Sequence, residues 1–86
     1  MTYRIELESR ARREFFKLAR EIHQRITDGI NDLRDNPRPP GAKALVGRTG
    51  YRIRVGHYRV LYTIDDATRL VRIYRVGHRR DVYRDR

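Results

Sequence analysis

Residues 50–83 read GYRIRVGHYRVLYTIDDATRLVRIYRVGHRRDVY. Tyr51, Ile53 and Val55 alternate with Arg52 and Arg54. Successive strand side chains point to opposite faces, so this segment has one apolar face and one face with two guanidiniums. Gly56-His57 is a two-residue link with glycine first, the pattern of a type II′ hairpin turn. A second strand is expected over Tyr58–Ile64, a closing turn over Asp65 to Thr68, and a third strand over Leu70–Val76 that Gly77 ends. Arg79 to Arg84 reads as a short tail or helical turn. The stretch is thus an antiparallel three-strand meander. Arg59 lies on its second strand, and Arg79 and Arg80 follow the third. Such a cluster of like charge is repulsive unless it faces a polyanion.

Charge is unevenly distributed along the chain. The 86 residues carry 21 Lys+Arg against 11 Asp+Glu, a formal net charge of +10. Residues 1–42 hold nine basic and seven acidic side chains, while residues 43–86 hold twelve and four. The excess is therefore local to the second half and points to nucleic acid as a ligand. A bland reading exists, in which arginine-rich codon usage and an acidic protein partner account for it. Lys17 and Lys43 are the only lysines.

The length fits one small domain, 1–86, with a modest core. There is no cysteine, hence no disulfide or thiolate site. No apolar run approaches a membrane span, and MTYRIELES has no signal-peptide character, so a soluble cytoplasmic protein is expected.

Upstream of the meander, Tyr3, Ile5 and Leu7 alternate with Arg4, Glu6 and Glu8, a half-buried strand over Thr2 to Glu8. Ser9 is the expected helix N-cap. Apolar residues then recur at Ala11, Phe15, Leu18, Ile22, Ile26, Ile30 and Leu33, a continuous helical stripe that Asn36-Pro37 terminates. Periodicity alone describes one helix of roughly 26 residues, which is long for such a domain. A break near Leu18-Ala19-Arg20 would pack better, although no glycine or proline marks it. Pro37 to Ala42 is a stiff connector, and Lys43 to Gly50 reads as irregular or edge structure. The order of strand, helices and three strands implies an α+β fold with helices layered on a mostly antiparallel sheet.

The residues offer little conventional catalytic equipment. His23, His57 and His78 lack metal-ligand spacing, and no phosphate-cradling glycine loop is present. Asp65-Asp66 reads as a turn former rather than a carboxylate pair. What remains is a basic cluster with tyrosines. Arginine suits phosphate because its planar fork donates two parallel hydrogen bonds and stays charged. Guanidiniums held in place would stabilise the charge that a phosphodiester gains at its transition state. RNA carries its own nucleophile, the 2′-hydroxyl. Lys43, Arg48, Arg52, Arg54, His78 and Arg80 are the candidate RNA contacts. Each has a plainer reading, and an arginine-lined strand face is more often a binding surface than an active site. Arg72 and Arg75 can equally be salt-bridge partners on the sheet. Tyr51, Tyr58, Tyr62 and Tyr74 read as core or edge packing, and Phe15, Ile22, Ile26 and Ile30 as core.

The run LVGRTGYRIRVGHYRVLYTIDD, followed by VRIYRVGHRRDVY, resembles the RelE branch of the RelE/ParE toxins of toxin–antitoxin systems. The likeness covers nearly the whole chain, and YRIRVGHYRVLY and VGHRRDVY are its most specific pieces. It implies the RelE-like microbial RNase fold, with a helical hairpin where periodicity allowed one long helix. It implies a ribosome-dependent endoribonuclease that cuts mRNA in the ribosomal A site, with the 2′-hydroxyl attacking the adjacent phosphate to leave a cyclic phosphate. The family's two basic strand residues match Arg52 and Arg54, the arginine of its G-x-Y-R segment matches Arg59, and its later arginine and tyrosine match Arg79 and Tyr83. Arg59, Arg79 and Tyr83 are then the catalytic candidates. The family often carries lysine at the first two positions. Arginine does not exchange a proton in the same way, which leaves Arg52 and Arg54 as phosphate binders and Tyr83 as the group to activate or orient the 2′-hydroxyl. The implied partners are the ribosome, its mRNA and an acidic RelB-like antitoxin, with no cofactor, metal, small-molecule ligand or membrane. A ParE-like inhibitor of DNA gyrase without ribonuclease activity is the alternative, because a shared scaffold does not fix function. A third, blander option is an RNA-binding protein without activity.

Overall fold

A computed structural model describes residues 2–83 of the chain. Strand β1 (Arg4–Leu7) leads into helices α1 (Ser9–Phe16) and α2 (Arg20–Asp32), then β2 (Lys43–Ala44), β3 (Tyr51–Val55), β4 (Tyr58–Asp65) and β5 (Leu70–His78). The five strands form one sheet in the order β1-β5-β4-β3-β2. β1 runs parallel to β5, with Arg4 opposite Leu70, and every other pairing is antiparallel. This is the expected α+β arrangement.

The helix stripe does break. Lys17 and Leu18 close the end of α1 on the carbonyls of Glu14 and Phe15, and Ala19 turns extended (φ −61°, ψ 151°) before α2 begins. An unbroken helix of roughly 26 residues would be about 39 Å long at 1.5 Å per residue. The molecule is 32 Å in its longest extent, so folding the stripe in two keeps both halves on the sheet. The ring of Phe15 lies 3.9 Å from that of His23 across the bend.

Ser9 is not the N-cap. Glu8 occupies that position in extended conformation, with no side-chain capping bond, and Ser9 is already helical. The backbone N–H of Glu8 still donates to Ile73 O of β5 (2.8 Å), so the chain turns directly from the last sheet bond into the helix. β5 likewise runs past Val76 through Gly77 and His78, because Tyr58 and Arg59 of β4 pair with them. At the first hairpin only Gly56 of the two turn residues has positive φ (+61°), as a type II′ turn requires. At the second, Asp65 Oδ1 accepts the Thr68 N–H (3.2 Å), confirming a turn role for that aspartate.

Both helices cover one face of the sheet. Ala11, Ile26, Ile30 and Leu33 pack there against Ile53, Val60, Tyr62, Val71, Ile73 and Val76. Phe15 and Ile22 are only partly buried at its margin. A bulge makes this set possible. Val60 is opposite Val76 but Tyr62 is opposite Ile73, so Tyr74 is the extra residue on β5. Strict alternation would have sent either Ile73 or Val76 out of the core. The displaced Tyr74 instead donates its hydroxyl to Thr49 O of the β2–β3 loop (3.2 Å).

The proline-rich connector is tied down by polar contacts. The buried Tyr62 hydroxyl donates to Pro37 O (2.7 Å). Arg38 forks onto Asp66 (2.9 and 3.3 Å) and reaches the Tyr51 hydroxyl (3.2 Å), while the Tyr3 hydroxyl donates to the same carboxylate (2.6 Å). Arg38, and then Tyr3, hold Asp66 below the usual carboxylate range. The connector thereby delivers β2 to the edge of β3.

Candidate nucleic-acid interface

The sheet face opposite the helices carries the arginines. Pairing places Arg52 beside Leu61, and Arg54 beside Arg59. Two arginines directly opposite each other repel, and a sheet normally avoids this. Arg54 is exposed and Arg52 half-buried, but Arg59 is only 8% exposed. Its Nη1 donates to the carbonyls of Gly56 (3.2 Å) and Tyr58 (3.0 Å). Burial above all, and then the guanidinium of Arg54, push Arg59 below the ordinary arginine value. Arg52 and Arg79 push the same way and Tyr83 opposes them. Arg52, Arg54, Arg79 and Tyr83 therefore all lie within electrostatic reach of Arg59. Among the described residues, no carboxylate forms an ion pair with any of these four arginines.

The C-terminal turn brings in the last two members. The Arg79 N–H donates to His57 O at the β3–β4 hairpin (2.8 Å). Asp81 and Val82 then donate their N–H groups to His78 O (2.8 and 3.0 Å). Val82 is fully buried and lies against Gly77 on the arginine face. Pinned there, the turn holds Tyr83 over the sheet at 40% exposure. Arg84, the expected end of this tail, lies outside the described residues.

Tyr83 borders a shallow cavity of about 360 Å³ together with Lys43, Leu45, Val46, Arg48 and Arg52. Lys43 is there because β2 pairs it with Arg52, and Arg48 because the loop 45–50 is closed by the Leu45 N–H on Gly50 O (2.9 Å). His78 and Arg80 sit at the base of the turn and do not border this cavity. The His78 ring lies 5.6 Å from that of Tyr58 and 6.1 Å from that of His57.

The remaining strand arginines are accounted for differently. Arg72 pairs with Glu6 of β1 (3.4 Å) and Arg75 with Glu14 of α1 (3.0 Å). Glu14 also accepts the Val76 N–H (2.8 Å) on the stretch of β5 that β1 no longer covers. These two arginines are structural. Sequence reading left them open because their partners lie more than sixty positions away. It also passed over Val46, which is 99% exposed at the rim of the cavity.

The site is thus a cradle of guanidiniums that, among the described residues, have no carboxylate partner, beside one accessible phenol. It can bind a phosphodiester and stabilise charge developing on it, and the phenol hydroxyl can exchange a hydrogen bond or proton with the bound chain.

The chain matches the family described as the ParE toxin of type II toxin–antitoxin system, parDE, over residues 5–83. It is 36% identical over 88 residues to Toxin RelG of Mycobacterium tuberculosis, covering 98% of this chain and 99% of that protein. Among solved structures, it is similar to the toxin in the toxin–antitoxin complex RelBE2 from Mycobacterium tuberculosis. The TM-score there is 0.80 at 33% identity, over 91% of this chain and 99% of the other. In the intact Escherichia coli RelBE complex the corresponding values are 0.77, 26%, 88% and 95%. The protein belongs to the RelE/ParE superfamily, as a toxin of a type II toxin–antitoxin system.

Proposed function

We propose that this toxin is a ribosome-dependent endoribonuclease that cleaves mRNA in the ribosomal A site and so arrests translation in the cytoplasm. The observation that carries the reading is the convergence of Arg52, Arg54, Arg79 and Tyr83 around Arg59 on one sheet face, where, among the described residues, no carboxylate pairs with the four arginines. Lys43, Arg48, Arg52 and Arg54 hold the RNA backbone, with His78 and Arg80 flanking. Arg59, fixed on two carbonyls, and Arg79, on the turn, stabilise the charge on the phosphoryl oxygens. Tyr83 orients the attacking 2′-hydroxyl or, as its phenolate, accepts the proton.

The 2′-oxygen forms a bond to phosphorus as the bond to the 5′-oxygen breaks. The departing oxygen takes up a proton, and a 2′,3′-cyclic phosphate remains. The nucleophile belongs to the RNA itself, so the reading includes no metal or cofactor. Holding the hydroxyl in line supplies much of the acceleration, and the ribosome would provide the substrate geometry.

The named solved relatives are complexes of toxin with antitoxin. By the same likeness, an acidic RelB-like antitoxin is the partner here, and the net charge of +10 favours such a chain wrapping the arginine face.

The test is a translation reaction with purified ribosomes and a defined mRNA, with cut ends mapped by primer extension. Wild type should cut in the A site. Tyr83→Phe and Arg79→Ala should cut about 10²-fold more slowly or worse, the lower end of acid–base and oxyanion effects. Absence of cutting by folded wild-type protein, with DNA supercoiling by gyrase inhibited instead, would overturn the reading in favour of the gyrase-directed alternative.

A further inference from the structure

The turn that carries Arg79 and Tyr83 is built around the imidazole of His78. The carbonyl of His78 accepts the Val82 N–H (3.0 Å), which is the first bond of a helical turn. Its ring Nδ1 accepts the Arg80 N–H two residues on (3.1 Å). Carbonyl to the fourth residue and side chain to the second are the two bonds of a helix N-cap, here made by histidine in place of the usual Ser, Asp or Asn. A ring nitrogen can accept only if it is unprotonated. The bond therefore requires the neutral imidazole with its proton on Nε2.

We propose that His78 is a positioning residue for the reaction, whose neutral, Nε2-protonated imidazole caps the turn and so sets Arg79 and Tyr83 in place against the RNA. The inference rests on the ribonuclease reading for its consequence in catalysis, though not for the hydrogen bond itself.

The neighbours of the ring come from the adjoining turn and strand. His57 of the β3–β4 turn stacks on the ring and Tyr58 of β4 meets it edge-on. Arg79, Arg80 and Asp81 share its turn. Arg59 lies on the strand paired beside it, one residue from Tyr58 and so on the opposite face. A cation on His78 would donate from both ring nitrogens and so lose the Arg80 bond. Protonation would therefore loosen the turn, and cleavage is expected to fall as the imidazole becomes charged.

The experiment compares wild type, His78→Ala, His78→Asn and His57→Gln in two ways. In ribosome-programmed cleavage, wild type should lose rate as pH falls from 8 to 5.5. His78→Ala should be roughly tenfold slower at pH 7.5, the equilibrium weight of one cap. His78→Asn, whose Oδ1 replaces Nδ1, should recover part of that loss and lack the acid limb. His57→Gln should keep the limb. In the protein alone, amide-exchange protection of the Arg80 N–H should fall with acid in wild type and stay level in His78→Asn. An acid limb that persists in His78→Asn, or a folded His78→Asn no faster than His78→Ala, would overturn the proposal. So would Arg80 protection that does not respond to pH. If wild type cuts nothing, the ribonuclease reading fails, and exchange at Arg80 alone then decides the role of His78.

Discussion

Replacing Glu14 by alanine should destabilise the protein far more than its place on a surface helix suggests. One carboxylate serves two buried groups, the Arg75 guanidinium (3.0 Å) and the Val76 N–H (2.8 Å). The Arg75 side chain is 8% exposed and that of Glu14 23%. Breaking a fully buried pair by removing one partner costs about 3–5 kcal/mol, and the partial exposure of Glu14 lowers this to about 2–3 kcal/mol. A chain of this length is stable by only about 4–13 kcal/mol, so the loss is a large share of the total. It corresponds to a fall in Tm of roughly 10–20 °C. Glu14→Gln keeps an acceptor for Val76 and should lose about 1–2 kcal/mol. Glu14→Ala with Arg75→Met removes the stranded charge and should be more stable than Glu14→Ala alone. Urea unfolding with an unchanged m-value is the assay. A loss below about 0.5 kcal/mol for Glu14→Ala, the range of an exposed pair, would refute the reasoning.

Three further outcomes follow from the same geometry. Burial pushes the Tyr62 phenol up to about 12, from an unfolded value near 10. Its contribution is whole below pH 10 and is lost as pH rises toward 12. Tyr62→Phe should therefore be less stable near pH 8 by about 1–2 kcal/mol, having orphaned Pro37 O, yet should show a flatter alkaline unfolding profile. Gly50 has φ +113°, and a Cβ there would collide with Tyr62 O. Gly50→Ala should lower stability by about 2 kcal/mol or more in thermal unfolding, combining backbone strain and displacement of β4. In oligoribonucleotide binding followed by anisotropy, Arg52→Ala should reduce the slope of log K against log salt by about 0.7, one phosphate contact on a single strand. Arg72→Ala, which removes an arginine already paired with Glu6, should leave the slope where it was.

The strands and the arginine pattern were legible because their signals are local. Tyr51–Val55 appears where alternation places it, and the type II′ turn needs only Gly56 to be read. Arg52 and Arg54 are bound to share a face in any strand, whatever the rest of the chain does. The apolar stripe through Ile26 and Ile30 likewise marks the helix surface that becomes core. The family resemblance rested on the same contiguous runs.

Tertiary structure decided what depends on residues far apart in sequence. The break at Ala19 has no local signature and follows from fitting a long stripe onto a small sheet. The bulge at Tyr74 follows from the need to bury both Ile73 and Val76. Every strand arginine looks alike in the chain. Glu14 and Glu6 neutralise Arg75 and Arg72 across the fold, while Arg54 and Arg59 meet only because the hairpin sets them side by side. The sequence alone thus determined that a basic face exists, since strand alternation is a local property. Which guanidiniums stay unpaired on it depends on where distant carboxylates arrive, and only the folded chain settles that.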